Sequence, residues 1–149
     1  MINIKETIGF LHKVPLFQGL NNRQLEHLAK RFVEREYAAG KEIVTQGQGG
    51  EGFFILVSGK AEATRSRADG SQVVVNTFGP TDFFGELALL EDPTGYSGLR
   101  TATVTAKEAT KCILLNRWDF LGELKLDVEM SIAILQELAR RFRVALDAM

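Results

Sequence analysis

Between residues 35 and 115, short apolar runs alternate with glycine-containing turns, and this pattern restricts the fold more than any other feature of the sequence. The runs are rich in Val, Ile, Phe and Thr, the residue types that favour strands. No helical stretch separates the strands, which excludes alternating βαβ units, and their close, even spacing predicts a sandwich or a rolled barrel. The expected strands are 42–45, 52–58, 60–67, 72–78, 102–106 and 110–115, with a hairpin turn at Asp69-Gly70.

Helices are predicted on both sides of the strands. They are 4–13, 21–33, one that begins at 116–119 and a last one from about 126 to 148. Asn21 or Asn22 can cap the second of them, since a side-chain oxygen there can accept from the first free backbone amides. We therefore expect a single domain over 1–149, made of an N-terminal helical segment (1–34), a barrel (35–115) and C-terminal helices (116–149).

The last predicted helix carries an apolar stripe. Its members are Val128, Leu135, Phe142 and Met149 at intervals of seven, with Ile132, Leu138 or Ala139, and Ala145 or Leu146 between them. Two explanations remain open at this point. The stripe packs on its own domain, or part of it covers a ligand or pairs with a second copy of the chain as a homodimer.

Composition excludes several functions. The formal net charge of −1 provides no basic field for nucleic acid or an anionic membrane, and no recognition helix follows residue 149, so DNA binding is not expected within this chain. No segment approaches the roughly 20 apolar residues of a membrane helix, so direct membrane insertion is not expected either. Cys112 is the single cysteine, which prevents an internal disulfide and is typical of a cytoplasmic protein.

An enzymatic function finds little support. A metalloenzyme built on a barrel needs histidine ligands on strands, but His12 and His27 are the two histidines and both fall in the N-terminal helices. Neither lies near a nucleophile elbow, so a Ser/His/Asp arrangement is not evident. We expect no catalytic residue, no metal and no cofactor.

The segment most suited to binding chemistry is 84–90, with the sequence FGELALL. It follows the strand-breaking Gly79-Pro80 and predicts a short helix entered at Gly85. The first amides of a helix point outward without an intrahelical partner, and a glycine lets an anion approach them closely. This pattern alone indicates no more than an anion site, because many helix starts share it.

Glu86 and Arg100 sharpen that interpretation. Arg100 leads into a strand from an uncharged run, and a guanidinium entering a barrel needs a counter-charge such as a phosphate. Glu86 would repel a phosphate, but it suits a sugar hydroxyl as a hydrogen-bond acceptor. From the residues alone, a structural salt bridge between Glu86 and Arg100 remains an alternative.

These residues also resemble a known family. FGELALL at 84–90, followed by RTATV at 100–104, is similar to the phosphate-binding cassette of cyclic-nucleotide-binding domains, here 84–106. Such domains occur in kinase regulatory subunits, cyclic-nucleotide-gated channels and Crp/Fnr-type regulators. The likeness extends over almost the whole chain, including VPLFQGL at 14–20 and the glycine-punctuated strands around 46–59.

The resemblance implies a mainly β fold, a jelly-roll-like β-barrel with N-terminal helices and C-terminal hinge and lid helices. It also implies a regulatory binding function, in which capture of cAMP or cGMP moves the C-terminal helices and signals to an effector domain or protein. The ligand-binding residues it implies are Gly85, Glu86, Leu87, Ala88, Arg100, Thr101 and Ala102. Glu86 would accept from the ribose 2′-hydroxyl and Arg100 would pair with the phosphate. Amides of Gly85, Leu87 and Ala88 would bind phosphate or sugar oxygens, and the Thr101 hydroxyl would contact the phosphate or a purine edge.

Some features stay open. The link 91–99 is longer than the family's usual one, Leu99 stands where a proline is common, and Tyr96 is a candidate contact within it. Thr101 is compatible with either nucleotide; we favour cAMP over cGMP. Phe78 is expected in the base wall, and the lid residue is expected among Leu135, Leu138 and Arg141 or Arg143 of the last helix. The alternative function is a degenerate barrel that binds a protein and no nucleotide.

Overall fold

The computed structural model describes residues 2–48, 52–91 and 101–149. The α-helices of these ranges are α1 (Ile4–Leu11), α2 (Asn22–Ala29), α3 (Arg117–Leu126) and α4 (Val128–Asp147). The 3-10 helices are η1 (Pro15–Phe17) and η2 (Glu86–Leu89). The strands are β1 (Val33–Tyr37), β2 (Glu42–Val44), β3 (Gly52–Ser58), β4 (Ala61–Ser66), β5 (Gln72–Phe78), β6 (Phe83–Phe84), β7 (Thr103–Ala106) and β8 (Thr110–Asn116). The chain divides into two compact units, one of Met1–Phe32 with Trp118–Met149 and one of Val33–Arg117.

The unit Val33–Arg117 is a barrel of two antiparallel sheets. Their strand orders are β1-β8-β3-β6 and β2-β7-β4-β5. Strand order departs from sequence order in both sheets, because β7 and β8 return to pair with early strands, as in a jelly roll. Phe54, Leu56, Ala61, Ala63, Phe78, Val104 and Cys112 form the core cluster between the sheets. The prediction of a mainly β, jelly-roll-like barrel with flanking helices is confirmed.

The strand predictions are accurate for β3 and β5 and wrong in two places. The predicted helix 21–33 ends at Ala29, and Val33–Tyr37 form β1 instead. Pairing of β1 with β8, from Val33 opposite Leu114 to Tyr37 opposite Thr110, supplies backbone hydrogen bonds that a longer helix would forgo. The second omission is β6, whose two residues pair with Phe54 and Ile55 of β3.

Helix caps and an ion pair to a buried carboxylate stabilise the helical unit. Asn21, rather than Asn22, is the cap of α2, and it forms a capping box with Gln24. Glu123 of α3 is 6% exposed and accepts a hydrogen bond from Arg31 Nε at 2.9 Å, which balances its buried charge. Asp127 caps α4 and accepts from the Met130 amide at 3.0 Å. The α4 cap places the start of the last helix at Val128, two residues after the predicted start.

The apolar stripe of α4 does not pack on its own unit. The buried residues of the helix are Met130, Ile134 and Glu137, spaced by four and three on a different face. Exposed members of the predicted stripe include Val128, Ile132, Leu135, Phe142, Leu146 and Met149. The explanation by packing within the same unit is therefore wrong for these residues. None of the helices in the described ranges is long and apolar enough to cross a membrane.

Candidate functional site

The inner face of β4 creates the space for a site. Ala61, Ala63 and Arg65 alternate along the strand and therefore share one face, and the first two are buried in the core cluster. Alanines at both of these buried positions leave space that larger side chains would fill. Ala102 and Val104 lie at alternate positions on the neighbouring chain segment that runs into β7. A cavity of about 580 Å³ is lined by Ala63, Ala102 and Val104 and by the segment that follows β6.

The cavity has an apolar wall and a few polar groups. Its apolar lining consists of Val44, Ala63, Val75, Phe78, Phe84, Leu87, Ala88, Ala102 and Val104. Its polar lining consists of Arg65, Asn76, Glu86, Glu91 and Thr101, together with Gly85. This composition is typical of a site that packs a flat ring against the wall and orients the molecule through a few hydrogen bonds.

Aromatic stacking of Phe84 fixes the turn at Gly85 to the core. The ring of Phe84 lies 5.0 Å from that of Phe54, nearly parallel, and 5.2 Å from that of Phe78. Gly85 follows directly with φ of 83°, a left-handed conformation that costs glycine little and other residues more. The glycine therefore turns the chain out of β6 and places the next residues along the cavity.

After Gly85 the chain forms the short helix predicted within 84–90, but as a single 3-10 turn over Glu86–Leu89. Phe84, the first residue of the predicted range, pairs with Phe54 in the sheet instead. A single turn has little macrodipole, so individual amides carry the anion-binding potential. The Ala88 amide donates to the Gly85 carbonyl at 3.0 Å, whereas the amides of Gly85 and Leu87 have no partner among the described residues.

The structure brings most of the predicted site residues to one place. Gly85, Glu86, Leu87, Ala88, Thr101 and Ala102 all line the cavity. Glu86 is half-buried there, and its Oε2 atom is shielded from solvent. Phe78, expected in the base wall, lines the cavity as well. Arg100, Tyr96 and the rest of 92–99 lie outside the described residues.

Sequence reasoning missed Arg65, Val75, Asn76 and Glu91. Val75 and Asn76 reach the cavity at a bulge, where the register shifts between Ala63 and Thr64 of β4. Successive residues of a strand point to opposite faces of the sheet, so the sequence could have placed Arg65 on the inner face, two residues after Ala63. No comparable sequence signal marks the other three. Among the residues that the structure describes, no group of three His, Cys, Asp or Glu side chains could hold a metal ion.

Cys112 belongs to the core cluster and is fully buried. Burial raises the pKa of its thiol to about 12, because the thiolate would lose its hydration. The side chain is thus a small apolar packing element, as its sequence context indicates.

Comparison with known proteins agrees with this geometry. The family model described as "Cyclic nucleotide-binding domain" matches residues 34–127, which include all eight strands but the first residue of β1. The "Cyclic AMP receptor protein" of Thermus thermophilus is 32% identical over 131 residues, which are 88% of this chain and 58% of that protein. A "cAMP-dependent protein kinase regulatory subunit" of Yarrowia lipolytica is 36% identical over 112 residues, 75% of this chain and 28% of that protein.

Solved structures share the fold as well. The N-terminal domain of a transcriptional regulator from Streptomyces coelicolor A3(2) superposes with a TM-score of 0.83 and 33% identity, covering 94% of each chain. The matched regions are 58% and 28% of the lengths of the two curated relatives above, so the chain corresponds to one part of each. The chain belongs to the cyclic nucleotide-binding domain family, because the family model matches it, its barrel has the corresponding topology and a cavity lies beside the turn at Gly85.

Proposed function

We propose that this chain is a regulatory module that binds a purine cyclic nucleotide, cAMP in preference to cGMP, and performs no chemistry on it. One observation carries the proposal: six residues separated by as many as 17 positions in sequence, from Gly85 to Ala102, line one cavity. The relatives support the nucleotide, because two of them are described as a cyclic AMP receptor and a cAMP-dependent kinase subunit. A solved neighbour with 26% identity is described as cAMP-bound.

Each group in the cavity fits one part of such a ligand. The Glu86 carboxylate accepts a hydrogen bond from the ribose 2′-hydroxyl, which keeps its charge away from the phosphate. The amides of Gly85 and Leu87 donate to phosphate or sugar oxygens, and Arg100 pairs with the phosphate. Thr101 adds a hydroxyl, and the apolar wall around Ala63 and Val75 packs the purine. No cofactor is needed, since every step is binding.

The output of the module lies in its C-terminal helices. We propose that nucleotide capture changes their position and that an effector domain or protein senses the change. The module works in the cytoplasm, where a lone buried thiol stays reduced. Amide hydrogen exchange along α4, measured with and without cAMP, tests the coupling; unchanged protection throughout α3 and α4 would contradict it.

The exposed stripe of α4 suits a second copy of the chain. Val128, Leu135 and Phe142 are each about two-thirds exposed and recur every seven residues, the period at which two helices keep contact. Light scattering of the wild-type chain and of the double variant L135E/F142E compares their masses. We expect a dimer that the variant abolishes, whereas variant E129Q on the same helix leaves it intact. A monomeric wild type contradicts the proposed dimer.

Calorimetric titration tests nucleotide binding directly. We expect binding of cAMP and weaker binding of cGMP, with 5′-AMP as the control that lacks the cyclic phosphate. E86Q should lower the affinity for cAMP by about tenfold, because a charged hydrogen-bond acceptor is replaced by a neutral one. R100A should weaken it by about 10- to 100-fold, through loss of a charge-assisted pair.

Two matched variants serve as controls, E108Q and R67A, since both side chains are exposed and lie outside the cavity lining. Both should bind as the wild type does. Absence of heat with either cyclic nucleotide at high micromolar concentration would exclude the ligand and leave a protein-binding barrel as the remaining function. Wild-type affinity in E86Q would remove Glu86 from the site.

A further inference from the structure

The entry to β7 lies beyond the backbone ladder of its sheet. The pairing of β7 with β4 extends as far as Thr103 opposite Thr64 and ends there. Thr101 and Ala102, which line the cavity, come before that point and belong to no strand. Two residues of the site therefore depend on something other than sheet hydrogen bonds for their position.

Arg65 provides a contact at that point. Its Nε donates to the Thr101 carbonyl at 3.1 Å, so the side chain continues the link between β4 and the β7 entry past the end of the ladder. Arg65 lines the cavity itself and makes no ion pair with any residue in the described ranges. Its planar guanidinium donates in a fixed direction, which suits it to hold a carbonyl in one place.

Gln46 holds the same segment from the other side. Its side-chain amide accepts from the Ser66 amide at 2.8 Å and donates to the Ser66 carbonyl at 3.4 Å, which joins the ends of β2 and β4. Its backbone amide donates to Thr103 Oγ1 at 2.9 Å. Two hydrogen bonds thus hold the entry to β7, one from the Arg65 side chain to the Thr101 carbonyl and one from the Gln46 backbone amide to the Thr103 hydroxyl.

We propose that Arg65 is a positioning residue of the nucleotide site, which acts by holding Thr101 in the place where its hydroxyl meets the ligand. This inference rests on the proposed function. Binding to a site that is already ordered avoids the entropic cost of fixing Thr101 and Ala102 at the moment of capture. Because Arg65 acts through Thr101, its benefit for each nucleotide should follow the contribution of the Thr101 hydroxyl to binding that nucleotide.

A double-mutant cycle in nucleotide affinity tests the proposal. R65A should weaken the binding of both cAMP and cGMP, by about tenfold for the loss of a hydrogen bond from a charged donor, and should shift the preference between them no more than T101A does. T101A should also weaken both. In the T101A background, R65A should lower the nucleotide affinity by less than threefold, because the hydroxyl that Arg65 positions is already absent. R67A, on the exposed end of the same hairpin, should leave the affinity unchanged.

Three results would overturn the positioning role. They are wild-type affinity in R65A, effects of R65A and T101A that simply multiply, and a change of preference between cAMP and cGMP in R65A that T101A does not share, which would indicate direct contact of Arg65 with the base. Amide hydrogen exchange of the nucleotide-free protein separates these failures from failure of the proposed function. R65A should speed exchange at 101–103 and leave β3 unchanged, and equal exchange in both proteins contradicts the inference whether or not a nucleotide binds.

Discussion

Thr81 has a backbone conformation that its residue type disfavours. Its φ is 75°, and it is the one residue other than glycine with positive φ in the described ranges. It follows Pro80 in a four-residue turn closed by the Asp82 amide, which donates to the Gly79 carbonyl at 3.0 Å. Such a turn with proline second and positive φ third favours glycine at the third position. Replacement of Thr81 by glycine should therefore stabilise the protein.

The surrounding contacts explain why the strained geometry persists. The Thr81 amide donates to the Leu56 carbonyl at 2.8 Å, and the Leu56 amide donates to the Asp82 carbonyl at 2.9 Å. The Asp82 carboxylate accepts from the Gly79 amide at 2.7 Å. None of these bonds involves the Thr81 side chain, which is exposed, so a glycine preserves them all.

The magnitude follows from two opposing contributions. A left-handed conformation costs a residue with a side chain about 1–2 kcal/mol, which glycine does not incur. Glycine in turn loses about 0.5–1 kcal/mol more backbone entropy on folding. The net gain in the free energy of unfolding is about 0.5–1 kcal/mol, which for a chain of this size corresponds to a rise in Tm of about 1–4 °C.

Urea and thermal unfolding of T81G, followed by circular dichroism, measure the gain. The matched control is T77G, because Thr77 is exposed within β5 and a strand glycine should cost about 0.5–1 kcal/mol. The two substitutions remove the same atoms and should shift stability in opposite directions. A T81G protein no more stable than the wild type, alongside a destabilised T77G, would refute the argument from backbone strain.

Three further predictions concern the barrel. G59A should lower the free energy of unfolding, measured in urea, by at least about 2 kcal/mol, because the φ of Gly59 is 97° and the new Cβ would lie 2.5 Å from Thr110 Oγ1. The control G70A should lose less stability, because the φ of Gly70 is 86° but a Cβ there would meet open space. Equal losses in the two variants would contradict the steric argument. The Cys112 thiol, with its pKa raised to about 12, should resist iodoacetamide at pH 8 until urea unfolds the chain, and prompt labelling of the native protein would contradict its burial. Since the folded pKa exceeds the ordinary value of 9.0, this thiol's contribution to stability is complete below pH 9 and is lost between pH 9 and 12, a loss that C112A should lack.

The sequence by itself determined the local elements and identified six of the residues that line the cavity. The sequence predicts a cap for α2 at Asn21 or Asn22, and Asn21 forms it in a capping box with Gln24, through contacts within one turn. The apolar run at 52–58 predicts β3 to the residue. Gly85 and Glu86 were identified from FGELALL, and both line the cavity. Each depends on near neighbours in the chain or on a short motif.

Only the tertiary structure decided features that depend on distant partners. Val33–Tyr37 has three charged residues in five and becomes a strand because β8, about 80 residues later, provides its hydrogen bonds. The period of α4 was evident, but the buried face proved to be that of Met130 and Ile134 rather than the longer stripe. Arg65 came to hold Thr101 because β4 pairs with β7 in one register. Strand pairing and burial are non-local, and a single sequence does not state which of two apolar faces or which distant strand has the better partner.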